Sequence, residues 1–276
     1  MTFLGARSTA HPAVMVAGVP YDATSTFRSG SRHAPAAIRW ASQSIETYSP
    51  ILGRDLGDVV YADVGDIDTA DLRPHQMVDA VKALVGNIAP ASLPILLGGE
   101  HTIALGAVQA LHHTHPDLAF VQIDAHTDLR EEYEGQRLSH ATVTRRILDV
   151  LTPQSVVQLG IRAGTREEFE LAGRLRHSAA RIDLPAPTWG WLEQRPAYVS
   201  IDIDAIDPAD APGTGNPEPA GIPARDLLAF VRRLGALRVV GLDVVEVSPP
   251  YDPSGRTAVL AATIVREAIL VLKATT

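Results

Sequence analysis

The feature that most limits how this chain can fold is a recurrence: short apolar, β-branched runs return along its length with helix-like stretches between them. The runs are Val14–Val19, Val59–Val64, Pro94–Leu97, Leu118–Asp124, Val156–Ile161, Ala180–Asp183, Tyr198–Asp204 and Val239–Val247. Several carry apolar side chains on both faces, as strands must when helices cover both sides of their sheet. Pro74 falls where a first-turn proline is tolerated, and Met77, Val81, Leu84 and Ile88 follow at helical spacing. Pro223 stands in the same relation to Leu227, Val231 and Leu234, and Thr257 to Lys273 reads as a longer helix that is apolar around most of its circumference. This alternation predicts one doubly wound α/β domain over residues 1–276, without linker or internal repeat. Proline and glycine are too dense in Asp207–Pro223 for regular structure, so that segment is predicted to be a loop lying over strand ends.

Composition narrows the chemistry. The 276 residues are 46% apolar, enough for a real core, and include no cysteine. Thiolate metal sites and cysteine nucleophiles are therefore excluded, and any metal must be held by His, Asp and Glu. The net charge of −8 comes with no basic stripe of the kind a nucleic-acid binder shows. No apolar run reaches the ~18 residues of a membrane span. The first residues lack the charged and apolar regions of a signal peptide, so a cytoplasmic location is expected.

In open α/β sheets ligands bind outside the carboxyl ends of the strands, and there the sequence is rich in metal-binding side chains. G-G-E-H after Pro94–Leu97 gives His101, and D-A-H-T-D gives Asp124, His126 and Asp128. S-I-D-I-D-A-I-D-P gives Asp202, Asp204 and Asp207, and D-V-V-E-V-S-P-P gives Asp243 and Glu246. Residues two apart on an extended strand share a face, so Asp124, His126 and Asp128 are expected to converge, as are Asp202 and Asp204. Crowded carboxylates repel and take up protons unless a cation intervenes. With His101 they make six candidate ligands, more than one tetrahedral site uses, so two ions fit better than one. Mixed imidazole and carboxylate donors suit Mn²⁺, Fe²⁺, Ni²⁺ or Zn²⁺ better than Ca²⁺ or Mg²⁺. Such a pair can activate water for hydrolysis. His140, in L-S-H-A-T at the start of the next helix, overlooks the same strand ends and is placed as a proton shuttle. His112, His113 and His115 read instead as cations complementing a helix C-terminus. His11, His33, His75 and His177 have no supporting pattern.

Taken in order, these motifs resemble the ureohydrolase family, which includes arginase, agmatinase and formimidoylglutamase. G-V-P-Y-D-A-T-S-T-F-R-S-G-S-R, I-E-T-Y-S-P, G-G-E-H-T, D-A-H-T-D, S-H-A-T, V-Q-L-G-I-R-A-G-T-R-E-E, S-I-D-I-D-A-I-D-P, A-P-G-T-G-N-P-E-P and D-V-V-E-V-S-P-P-Y-D-P-S-G carry the likeness, which covers nearly the whole chain. It implies a three-layer α/β/α domain with an eight-stranded, mostly parallel sheet. It also implies two Mn²⁺ per subunit: His101 and Asp128 on one ion, His126 and Asp204 on the other, Asp124 and Asp202 bridging. Asp128, His140 and Glu246 would form the catalytic set, with Glu246 holding the substrate guanidinium and His140 moving protons. Hydroxide bridging the ions would attack the guanidinium carbon. A homo-oligomer, trimer or hexamer, is implied as well.

For the substrate, the resemblance favours agmatine. Leu129–Ser139 replaces the Ser-Gly-Asn stretch with which arginases bind an α-carboxylate, and Glu131, Glu132 and Glu134 make it locally acidic, as a rim receiving an amine would be. Ala141 and Asn216 stand where relatives often have glycine and threonine. The competing expectations are the same reaction on guanidinobutyrate, aminopropylagmatine or arginine, a formimidoylglutamase, and a non-catalytic metal-binding homologue.

Overall fold

The computed structural model describes residues 1–7, 9–89 and 91–272. Eight strands form its main sheet, beside a two-stranded antiparallel ribbon of Tyr48–Ser49 and Arg54–Asp55: β1 (Val14–Val19), β2 (Tyr61–Asp66), β3 (Leu93–Gly98), β4 (Ala119–Ile123), β5 (Val156–Leu159), β6 (His177–Ala179), β7 (Pro196–Asp202) and β8 (Arg238–Val245). Their order is β2-β1-β3-β8-β7-β4-β5-β6, and every neighbouring pair is parallel. Eight helices accompany them: α1 (Ala34–Ser42), α2 (Pro74–Ile88), α3 (Ile103–Thr114), α4 (Val143–Ile147), α5 (Arg166–Ala172), α6 (Ala186–Glu193), α7 (Ala224–Arg233) and α8 (Arg256–Leu272).

Alternation along the central strands divides the core in two. Ile95, Leu97, Val121, Ile123, Val199 and Ile201 pack on one face with residues of α1, α6, α7 and α8. Leu96, Phe120 and Tyr198 turn to the other, against α2, α3 and α4. The result is the three-layer α/β/α arrangement that the both-face apolar runs require. No helix among the described residues is long and apolar enough to cross a membrane.

Several expected boundaries move, each for a local reason. Val59 closes a 3₁₀ turn by donating to the Leu56 carbonyl at 3.1 Å, so the strand expected at Val59–Val64 starts at Tyr61. The strand expected at Val156–Ile161 stops at Leu159, because Gly160 has φ +91°. The run Ala180–Asp183 is not a strand; pairing with β5 uses His177–Ala179, directly before it. Tyr198–Asp204 begins earlier and ends at Asp202, with Ile203–Ala205 in a 3₁₀ turn. Leu234 falls in the 3₁₀ turn after α7, and Lys273 lies outside the described residues. Asp207–Pro223 is irregular apart from two isolated bridges, and the Asp207 carboxylate pins it by accepting from Ala209 N and Gly221 N, both at 2.9 Å. His112 and His113 do close α3, and His115 caps it.

Candidate active site

Four adjacent central strands, β3-β8-β7-β4, end at one place and deliver seven of the eight candidate residues to it, and His140, in the 3₁₀ turn that leads into α4, lines the same cleft. His101 follows β3, Glu246 follows β8, Asp202 ends β7 with Asp204 in the turn beyond, and Asp124, His126 and Asp128 follow β4. The convergence of the last three does not come from strand alternation, since β4 ends at Ile123. Instead the Asp124 carboxylate accepts from the backbone N–H of His126 at 2.6 Å, a local turn that swings the histidine inward. Asp202 makes the same turn with the Asp204 N–H at 2.9 Å. Asp128 is held at φ +53° and Glu246 at φ +62°. The left-handed region costs a glutamate of order 1 kcal/mol, offset here by fixed anchors: Glu246 N–H donates to Gly99 O at 2.8 Å, and Glu246 Oε1 accepts from His101 N–H at 2.7 Å.

Two donor triads result. His101, Asp124 and Asp128 form one, Asp124, His126 and Asp204 the other. His101 Nδ1 lies 3.0 Å from Asp124 Oδ2, 3.1 Å from Asp128 Oδ2 and 3.4 Å from Asp202 Oδ2. His126 Nδ1 lies 2.9 Å from Asp204 Oδ2 and 3.6 Å from Asp124 Oδ1. Donors at right angles around a common ion, each ~2.1 Å from it, are about 3.0 Å apart, which matches the His101–Asp124, His101–Asp128 and His126–Asp204 contacts, while His101–Asp202 and His126–Asp124 are wider.

Hydrogen bonding around His101 tests that fit. Ser200 Oγ gives its proton to Asp243 Oδ1 at 2.6 Å, so it must accept from His101 Nε2–H at 2.9 Å. Tyr198 donates to the other Asp243 oxygen at 2.5 Å. Asp243 therefore stands outside the donor cluster and orients it. His101 Nδ1 is left buried, facing three carboxylates without a hydrogen bond. A nitrogen so placed needs a cation in front of it, a proton or a metal ion. Glu218, 3.7 Å from His126 Nε2, stands in the corresponding place on the second histidine. Truncating Ser200 to Ala should weaken metal binding about 10- to 100-fold while leaving the far-UV circular dichroism unchanged. Equilibrium dialysis reads this, and unaltered affinity would remove Ser200 from any supporting role.

Electrostatics agree with a site built for cations. Burial, with help from Asp124, pushes Asp128 up to about 7. Burial likewise raises Asp202, Asp204 and Glu246, each further raised by a neighbouring carboxylate. Burial opposes charge on the imidazoles, yet the surrounding carboxylates lift both His101 and His126 well above the ordinary histidine value. Protons thus stand in for cations across the cluster. His140 behaves oppositely: burial depresses it to about 4, so at neutral pH it is an uncharged base.

The cleft above the cluster has a volume of about 260 Å³. His140, Glu246, Ala141, Asn216, Arg130 and Tyr133 are among its lining residues. The acidic rim expected from Leu129–Ser139 is not formed as anticipated. Glu131 is turned away into contacts with Arg137, Arg145 and Arg146 at 2.6–2.8 Å. Arg130 lines the cleft instead, its guanidinium 4.7 Å above the Tyr133 ring and 3.4 Å from Glu168. The cleft is also lined by Glu168 and Glu218, neither singled out from the sequence although they lie in V-Q-L-G-I-R-A-G-T-R-E-E and A-P-G-T-G-N-P-E-P; Glu168 is buried and already accepts from Thr127 Oγ1, Leu129 N and Thr165 N.

Comparison with known proteins gives a concordant picture. Residues 12–271 match the model of the arginase family. An agmatinase of Bacillus anthracis is 43% identical over 263 residues, which are 93% of this chain and 91% of that protein. Proclavaminate amidinohydrolase of Streptomyces clavuligerus is 36% identical over 268 residues, 91% of this chain and 85% of that one. The crystal structure of an agmatine ureohydrolase of Thermoplasma volcanium superposes with a TM-score of 0.88 at 37% identity, covering 98% of this chain and 94% of that one.

Proposed function

This chain is a ureohydrolase of the arginase family, and we propose that its substrate is agmatine, hydrolysed to putrescine and urea with two Mn²⁺ in each subunit. The observation that carries this reading is the pair of donor triads joined through Asp124 at the floor of the cleft that holds Glu246 and His140. His101 and Asp128 would hold one ion and His126 and Asp204 the other, with Asp124 and Asp202 between, and bound there the ions would make water acidic enough to supply hydroxide near neutral pH.

The protein's own groups do the rest. Glu246, with Oε1 fixed by the His101 N–H, presents its carboxylate to the planar guanidinium, a charge-assisted match that a glutamate makes well. This orients the guanidinium carbon toward the donor cluster. Attack of water at that carbon, followed by expulsion of the amine, requires one proton to leave the water and one to reach the departing nitrogen. His140, uncharged and lining the cleft, accepts the first and returns it to the amine.

The agmatine assignment is supported by relatives named agmatinase and by Glu218, a half-exposed carboxylate lining the cleft that can accept from a terminal ammonium. Arg130 favours a second reading, a guanidino acid such as guanidinobutyrate whose carboxylate meets that guanidinium. Urea release from agmatine, guanidinobutyrate and arginine, measured side by side after Mn²⁺ loading, separates the two. Agmatine is expected to exceed the others by at least about tenfold in kcat/KM, some 1.4 kcal/mol. Turnover of guanidinobutyrate alone would transfer the assignment to the guanidino acid, and no urea from any of the three would sink both.

A further inference from the structure

Beneath His140 lies a chain of buried polar groups that the hydrolysis does not itself require. Glu100 is wholly buried, and its carboxylate accepts three hydrogen bonds: from Thr24 N at 2.7 Å, Thr24 Oγ1 at 2.6 Å and Thr102 Oγ1 at 2.5 Å. Thr24, also buried, touches His140 twice. Its Oγ1 accepts the His140 backbone N–H at 3.1 Å and lies 3.5 Å from His140 Nδ1.

A hydroxyl has one proton to give. Thr24 gives it to Glu100, so toward His140 the oxygen only accepts, and the tautomer that can bond to it is the one with hydrogen on Nδ1. We propose that Thr24, anchored by Glu100, is a positioning residue that fixes His140 as its Nδ1–H tautomer and so keeps Nε2 as the nitrogen that takes the proton. The long Nδ1 contact is of the kind that tightens only when substrate is bound. The edge of the Tyr133 ring, its centroid 6.0 Å from that of His140, supports the imidazole from the cleft side. The inference rests on His140 as the proton carrier of the reaction proposed above.

The test uses Thr24→Val and Thr24→Ser in the full Mn²⁺-loaded protein, each alone and combined with His140→Ala. Thr24→Val is expected to lower kcat for urea release by about 10- to 100-fold, with KM and metal content unchanged. Thr24→Ser, which keeps the hydroxyl, is expected to stay within about threefold, and Thr24→Val should add nothing once His140 is Ala. A second readout does not depend on turnover. Nitrogen chemical shifts of ¹⁵N-histidine in Zn²⁺-loaded protein, assigned by the signal lost in His140→Ala, should show the Nδ1–H tautomer in the parent and in Thr24→Ser but not in Thr24→Val. The Nε2–H tautomer in the parent would overturn the proposal, because Nε2 would then have no free electron pair to take the proton and Nδ1 would face Thr24 bare. So would equal damage from Ser and Val, or a full Val effect in the His140→Ala background. If His140→Ala itself left turnover intact, His140 would not be the proton carrier and Thr24 would have nothing to position. A large His140→Ala loss with an unaffected Thr24→Val would sink the positioning role alone.

Discussion

Asp124→Asn is expected to strip the cluster of bound metal and to lower turnover by at least about 10³-fold, some 4 kcal/mol in barrier height. Asp124 alone belongs to both donor triads. Its Oδ2 faces His101 Nδ1 at 3.0 Å and its Oδ1 faces His126 Nδ1 at 3.6 Å. Both oxygens also accept from donors of the protein: Gln122 Nε2 at 2.7 Å reaches Oδ2, and the His126 N–H at 2.6 Å reaches Oδ1. An asparagine amide therefore has no harmless orientation. Whichever way it turns, its NH₂ meets an existing donor, and the charge that would draw the proposed ions is gone in either case. Metal analysis after dialysis, with kcat measured on the same samples, checks this. Two ions retained with near-normal turnover would take Asp124 out of the site.

The same residue shows what could be read from sequence and what could not. The apolar runs locate the strands of the main sheet to within a few residues, except at one edge, because helices on both faces force apolar side chains on both sides of each strand. Only β6, three residues long with a single partner, is missed: an edge strand this short leaves no apolar run, and Ala180–Asp183 imitates one nearby. Helices α1, α5 and α6 also escape, each under ten residues and none with a long apolar stripe. The candidate ligands stand out because Asp and His at consecutive strand ends have little structural use. The strand-alternation argument for bringing Asp124, His126 and Asp128 together does not hold, since they lie beyond β4 and their own backbone N–H groups do the folding. The supporting groups are invisible for a different reason. Ser200 faces Asp243 and Gln122 across β8 and β4 only in this strand order, and spacing along one chain does not encode which strands are neighbours. Thr24 and Glu100, 76 residues apart, meet through β1 and β3 in the same way.

Gly98–Gly99, in sequence no more than a tight turn, is where that sheet order matters most, and Gly99→Ala is expected to damage stability and activity together. A β-carbon on Gly99 would fall 1.9 Å from the Tyr21 carbonyl oxygen and 2.7 Å from both the carbon and the nitrogen of the same residue. These are backbone atoms, so no side chain can rotate away. The two segments are already tied, Glu100 N–H donating to Tyr21 O at 2.7 Å, and on the other side Gly99 O accepts from Glu246 N–H at 2.8 Å. The glycine is thus clamped between the chain leaving β1 and the chain leaving β8. Making room displaces Glu100 and His101 in one direction and Glu246 in the other. Overpacking against fixed backbone is expected to cost about 3 kcal/mol, or roughly 10 °C in Tm for a chain of this size. A displacement near 1 Å at the donor cluster and at Glu246 is worth a further loss of about 10²-fold in turnover. Gly86→Ala is the matched control. Gly86 lies within α2 with nothing within 4 Å of its would-be β-carbon, so the same added methyl should raise stability by about 0.5–1 kcal/mol and leave turnover alone. Thermal melts and urea release on the two variants decide the matter. If Gly99→Ala melts and turns over like Gly86→Ala, close backbone approach is not what glycine provides at this turn, and the positions of His101 and Glu246 are set by something other than their shared contact with it.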